Sequence, residues 1–209
     1  MTKFINILSI ISLAGFIFAC TGPLTKSEKE KIHTIGVLNS FPASPTWTKL
    51  GTTIFTNHIS TAEARGYKEL LTQITINYLK ERGYQVKELS DKDSIPDEDV
   101  NFRIELQPWD TAEYVHTKGY GFVERSFMGL KKGPFAYVVM HIVPRFRTND
   151  GFSDFGKNSY YQEKFQYLPI NNMPPSWESL PDASKDSLEK SLKSCIQIYM
   201  KEQLPKLGL

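Results

Sequence analysis

Between Val100 and Gln107 the chain alternates strictly: Val100, Phe102, Ile104 and Leu106 are apolar, and Asn101, Arg103, Glu105 and Gln107 are polar. Successive side chains of a strand point to opposite faces, so a period of two predicts a strand with one buried face and one wet face. Such a strand cannot stand alone. It needs neighbours to take its backbone hydrogen bonds and a second layer to cover its apolar face.

Several segments can supply the neighbours. Ile32 to Leu38 is a β-rich run stopped by Asn39-Ser40, Pro42 and Pro45. Trp47 to Phe55 predicts a second strand, with Thr52, Thr53, Ile54 and Phe55 as β-formers, and Tyr84 to Leu89 a third. Phe135 to Val143 is nearly all apolar, as a strand buried on both faces should be, and Pro144 is expected to end or bulge it. Tyr160 to Leu168 adds a strand with Tyr161, Phe165 and Tyr167 on one side.

Two helical patterns supply the cover. Ser60-Thr61-Ala62-Glu63 fits a capping box, after which Tyr67, Leu70, Leu71, Ile74, Tyr78 and Leu79 share a face and Gly83 stops the helix. After Pro169, Pro174, Pro175 and Pro181, a helix capped by Asp182 or Ser184 places Leu188, Leu192, Cys195, Ile196 and Tyr199 on one face, with Pro205 near its end. The expected fold is α/β or α+β, one mixed sheet packed against two main helices at about 63–82 and 183–204. With 40% apolar and 23% charged residues the composition is that of a globular chain, and residues 32–209 are expected to form a single domain.

Residues 1–19 are different. Lys3 is the only charged side chain before Cys20, and an apolar run from Phe4 to Phe18 is interrupted only by Asn6, Ser9, Ser12 and Gly15 before Ala19. A positive start, an apolar core and a small final residue make a signal peptide, and the run falls short of the roughly 20 residues a spanning helix needs. Ile17-Phe18-Ala19-Cys20 resembles the lipobox of bacterial lipoproteins, with Phe18 bulkier than the family's usual residue. The resemblance implies a diacylglycerol thioether on Cys20, cleavage before it, and often a further acyl chain of the palmitate type on the new amino group. Two or three chains hold a protein to a membrane far more firmly than one. In this family an Asp after the cysteine retains the protein at the inner membrane; Thr21 stands there, which implies the outer membrane, facing the periplasm, in a Gram-negative cell. Residues 20–31 are polar and mixed in charge and are expected to be a flexible tether. The stretch from Ile32 to Leu89, a strand, a late helix and a Gly83-Tyr84-Gln85-Val86 strand, resembles the N-terminal domain of TolB and small periplasmic lipoproteins of that architecture. That likeness implies a docking or assembly role.

With Lys3 set aside, 24 basic residues face 23 acidic ones, a balance that gives no support for nucleic acid as a partner. His33, His58, His116 and His141 show no metal-ligand spacing, and the acidic stretch from Asp91 to Asp99 lacks the glycine and glutamate of a calcium loop, so no metal is expected. There is no GxSxG elbow, Walker-type loop or CxxC, and no cofactor is expected. His33 and His141 are read as structural; His116 beside Asp110 or Glu113 is kept as a convergent catalytic pair. Cys195 is expected to be a buried hydrophobe and not bridged to Cys20.

From Lys118 to Gly133, four glycines are interleaved with Tyr120, Phe122, Arg125, Phe127 and the pair Lys131-Lys132. The segment admits two readings: a hairpin whose aromatics face the core, or a recognition loop in which Tyr120, Arg125 and Phe127 are exposed and close together for a partner. The function expected is a non-enzymatic, membrane-anchored envelope lipoprotein that binds a protein or peptidoglycan partner. The alternative is an envelope hydrolase acting on glycan or peptide, and a third reading is a structural spacer.

Overall fold

The structure, a computed structural model, describes residues 24–52, 57–90, 99–110, 117–127, 130–149, 151–154 and 160–209; of Phe127, Asp154, Tyr160 and Tyr161 it describes the backbone alone. The signal peptide, Cys20, Thr53 to Phe55, the acidic loop from Asp91, and Glu113 with His116 lie outside the described residues. In chain order come α1 (Lys26–Glu30), β1 (Thr34–Asn39), β2 (Thr46–Leu50), β3 (His58–Thr61), α2 (Tyr67–Lys80), β4 (Gln85–Leu89), β5 (Phe102–Pro108) and β6 (Tyr120–Phe127). Then follow β7 (Leu130–Thr148), β8 (Gly151–Asp154), β9 (Tyr160–Tyr167) and α3 (Asp182–Gln203), with short 3-10 turns at Trp177–Ser179 and Leu204–Leu207. The strands form one mixed sheet, and the fold is α+β.

The sheet is organised on β7, which is 19 residues long. Along one edge β5 pairs antiparallel with it from Phe146 to Met140, and β6 follows in the same direction from Val138 to Leu130. Between them, Val139 donates to the Gly119 carbonyl at 2.6 Å and accepts from the Trp109 amide at 3.2 Å. On the opposite edge β8 covers Thr148 to Arg145 and β9 covers Ile142 to Phe135. One layer further out the arrangement repeats, with β1 parallel to β5 and β2 parallel to β6. β4 then flanks β1 in parallel, and β3 flanks β2 antiparallel. One continuous strand thus templates neighbours that are each broken in two.

Pro144 does not end β7; it pairs with Ile104 in mid-strand. The amides of Val139 and Arg147 point to the edge holding β5 and β6. By alternation position 144 faces the other edge, at the break between β9 and β8, where a missing N–H forfeits no ladder bond.

The even-numbered residues of β7, Ala136, Val138, Met140 and Ile142, join Phe102, Ile104 and Leu106 of β5 and the buried faces of α2 and α3 in the main core. From α3 come Leu188, Leu192, Cys195, Ile196 and Tyr199, as the helical spacing requires. The odd-numbered residues of β7 face the other side, where Phe135, Tyr137 and Val139 form a smaller cluster with Leu50, Val123 and Phe165.

Four expectations need correction. Ser60-Thr61-Ala62-Glu63 does not start a helix, because His58–Thr61 pairs with β2; α2 begins at Tyr67 after Gly66, whose φ of 74° is left-handed. The helix α3 is preceded by Pro181 with no side-chain cap, in place of Asp182 or Ser184. In β5 the apolar residues point into the core, but the polar side is not wet: Arg103 and Glu105 are buried as well. And the segment read as a tether is held from Leu24 onward, with Leu24 and Ile32 in the main core and Thr25 closing a capping box with Glu28 at the start of α1.

Candidate functional site

The segment from Lys118 to Gly133 is the β6–β7 hairpin and its approach. Tyr120 is not exposed; it is 1% accessible. Its ring stacks on Phe41 with centroids 5.1 Å apart, and its hydroxyl donates to the backbone oxygens of Pro42 and Ala43. Arg125 is half-buried, opposite Leu50 on one side and Lys132 on the other. The Phe127 side chain lies outside the described residues; with Tyr120 buried, the three residues do not form the exposed cluster expected of a recognition loop. The glycines have a structural reason: a Cβ on Gly121 would lie 2.2 Å from the Thr46 carbonyl oxygen, so only glycine lets β2 approach β6. Lys131 also serves the fold, reaching the Asn171 carbonyl and the buried carboxylate of Glu124.

A concave site exists elsewhere. A cleft of about 450 Å³ is lined by Ser44, Thr61, Ala62, Glu63, Trp177, Glu178 and Lys185. Three segments far apart in the chain build it: the Pro-rich turn before β2, the end of β3, and the proline-rich connection running into α3. That connection is pinned to the sheet. Lys49 donates to the Met173 carbonyl, the Met173 amide donates to Glu124 at 2.7 Å, and the Trp47 indole donates to the Pro174 carbonyl at 3.0 Å. Trp177 packs on Trp47 and Phe122, with ring centroids 5.5 Å away in both cases, and closes the floor.

Beside the cleft, Arg65 gathers three carboxylates: Glu63 at 2.9 Å, and Asp186 and Glu189 each at 2.8 Å. This holds the end of β3 to α3 and keeps the guanidinium charged. Hydrogen bonds from Lys193 and then Arg65 hold the Glu189 carboxyl below the ordinary range. Glu178 is also lowered, by its own backbone amide and by the Ser176 side chain. The rim thus carries two acids, one lysine and two hydroxyls over an aromatic floor, a set that can hydrogen-bond a polar ligand.

On the far face of the sheet Arg103 and Arg145 close on Glu105 at 2.5 and 2.9 Å, and Gln107 donates to its other oxygen. The Phe152 ring lies 4.5 Å from the Arg103 guanidinium carbon. The sequence does not show this cluster, because the β5–β7 register sets Arg103 directly opposite Arg145, and Glu105, opposite Val143, reaches both guanidiniums only along the strand and on the diagonal.

The histidines divide. His33 is exposed just before β1, against expectation, and His58 is exposed on β3. His141 is partly buried against Trp109, ring centroids 5.0 Å apart. Asp110 forms an isolated bridge with Lys118. Among the described residues no three His, Cys, Asp or Glu side chains converge as a metal set, and no helix is long and apolar enough to cross a membrane.

No family model matches the chain, and no curated protein matches it. Among solved structures it is similar to the protein XCC0632 from Xanthomonas campestris, of the family DUF330, at 8% identity over 90% of this chain and 92% of that one, with a TM-score of 0.46. A likeness at that level carries no argument about function.

Proposed function

We propose that the chain is a cell-envelope lipoprotein, anchored through lipid on Cys20, whose folded part is a non-enzymatic binding module, in the outer membrane facing the periplasm where the source is Gram-negative. The observation that carries the reading is the leader: a lone lysine, an apolar run and Ile17-Phe18-Ala19-Cys20, four residue steps ahead of the buried Leu24. The experiment is metabolic labelling with palmitate in cells expressing the full chain. The intact protein is expected to carry label and run as the shortened form, and Cys20→Ala to accumulate unlabelled at full length. Labelling of the variant at the same cut would overturn the anchor.

The cleft beside Trp177 is the place where this reading puts a ligand, an envelope protein segment or a peptidoglycan fragment. Glu178→Ala with Lys185→Ala should weaken retention on purified peptidoglycan or on the captured partner without moving the melting temperature, since both side chains sit on the rim. The two acids on the rim, Glu63 and Glu178, raise the hydrolase alternative. Glycoside hydrolysis needs one carboxyl held protonated. Glu178 is shifted the opposite way, which favours binding over hydrolysis.

A further inference from the structure

The joint between anchor and fold is short. Leu24 is 5% exposed and belongs to the main core. Only Thr21, Gly22 and Pro23 separate it from Cys20, four residue steps, so the two α-carbons lie at most about 14 Å apart whatever path the chain takes. The segment that follows cannot swing. Thr25 and Glu28 cap α1 reciprocally, Ile32 is buried, and Asn101 binds the His33 and Thr34 amides through its oxygen and the Lys31 carbonyl through its nitrogen. Asn101 in turn accepts the Arg147 amide at 3.0 Å, so α1 sits at the end of the sheet where β7 finishes.

The opposite end of β7 is the hairpin. Leu130 is 76% exposed there, and Tyr167, opposite Phe135 on β9, is 74% exposed. Eighteen residue steps separate Leu130 from Thr148, up to about 60 Å at strand rise.

We propose that in the anchored protein the α1 end of the sheet lies against the lipid headgroups and the β6–β7 hairpin is held away from them. This rests on the lipid-anchor reading. The surface offered to the membrane is polar: Lys26, Ser27 and Lys31 are exposed around α1, so it meets headgroups without inserting into the acyl layer. The two most exposed large apolar side chains, Leu130 and Tyr167, stand at the far end, where a protein partner and not a bilayer would cover them.

The test uses the full, processed chain in vesicles of phosphatidylethanolamine and phosphatidylglycerol containing a lipid with a nitroxide on its headgroup. A fluorophore is attached at Ser27→Cys in one preparation and at Leu130→Cys in another; Cys195, being buried, is spared. Quenching several-fold stronger at position 27 than at 130 is expected. Equal quenching, or stronger quenching at 130, in protein that is acylated by mass and floats with the vesicles overturns the orientation alone. Protein that neither carries lipid nor floats overturns the anchor, and the orientation with it. Inserting ten Gly and Ser residues between Thr21 and Gly22 should erase the contrast; if it persists, the short joint is not what orients the domain.

Discussion

Glu105 lies between two guanidiniums, with Arg103 on its own strand and Arg145 across the ladder, and its side chain is nearly inaccessible. Removing it would leave two like charges facing each other away from water. Glu105→Ala should therefore cost about 3–5 kcal/mol, read as a fall in the urea midpoint. Replacing all three residues together with Met, Leu and Met should recover most of that loss, because the penalty comes from the uncompensated charge. Cys195 is a second buried polar atom, its sulfur 3.8 Å from the Ala136 carbonyl and 3.7 Å from that of Lys164, and burial pushes its thiol up to about 12. The native protein should resist thiol reagents at pH 8, and on unfolding one thiol per chain should titrate if Cys20 carries lipid. A thiol raised in the fold stabilises fully below its unfolded value, about 8.5, so stability should decline as pH climbs from there toward 12. Glu189 works in the other direction. Its lowered carboxyl favours the fold at neutral pH, and the contribution is lost as pH falls below about 4.3. Comparing intact protein with Glu189→Gln at pH 7 and pH 3 should show a larger difference in urea midpoint at the higher pH.

At the scale of elements, pairing overrides local signals wherever the two conflict. The capping-box residues at Ser60 to Glu63 have helix-start chemistry, yet the segment through Thr61 takes β2 as partner because Trp47 and Leu50 need a covered edge. Gly121 reports the same pairing from the other side: Gly121→Val should push Thr46 away, separate β2 from β6 and lower the melting temperature sharply, whereas a neutral outcome would mean the strands can part. Leu192→Ala on α3 should cost about 2–5 kcal/mol as a core cavity. The α3 face, the first strand and the apolar side of β5 were legible because periodicity is a local property. The polar side of β5 was not, since alternation cannot say that a curled sheet buries both of its faces. Nor was the cleft, whose residues near 44, 61–63 and 177–185 are brought together only by the fold. The glycine-aromatic stretch was legible as a hairpin, while its burial depended on Phe41 and Tyr67, far away in the chain.

For the whole molecule, the arrangement around β7 has a mechanical side. Under the proposed anchoring, a lipid at Cys20 would draw on the chain ahead of β1, and a partner at the hairpin would draw on the start of β7, at the other end of the sheet. The line of pull then runs along the strands, from β1 through the β1–β5 ladder and the β5–β7 ladder. Load in that direction is carried by all the hydrogen bonds of a ladder at once, in shear, whereas a pull across the strands would peel them one after another. Stretching single molecules between position 20 and the hairpin should need a much higher rupture force than stretching across β8 and β9. An envelope protein built in this way could hold a partner under tension between two layers without coming apart at the sheet.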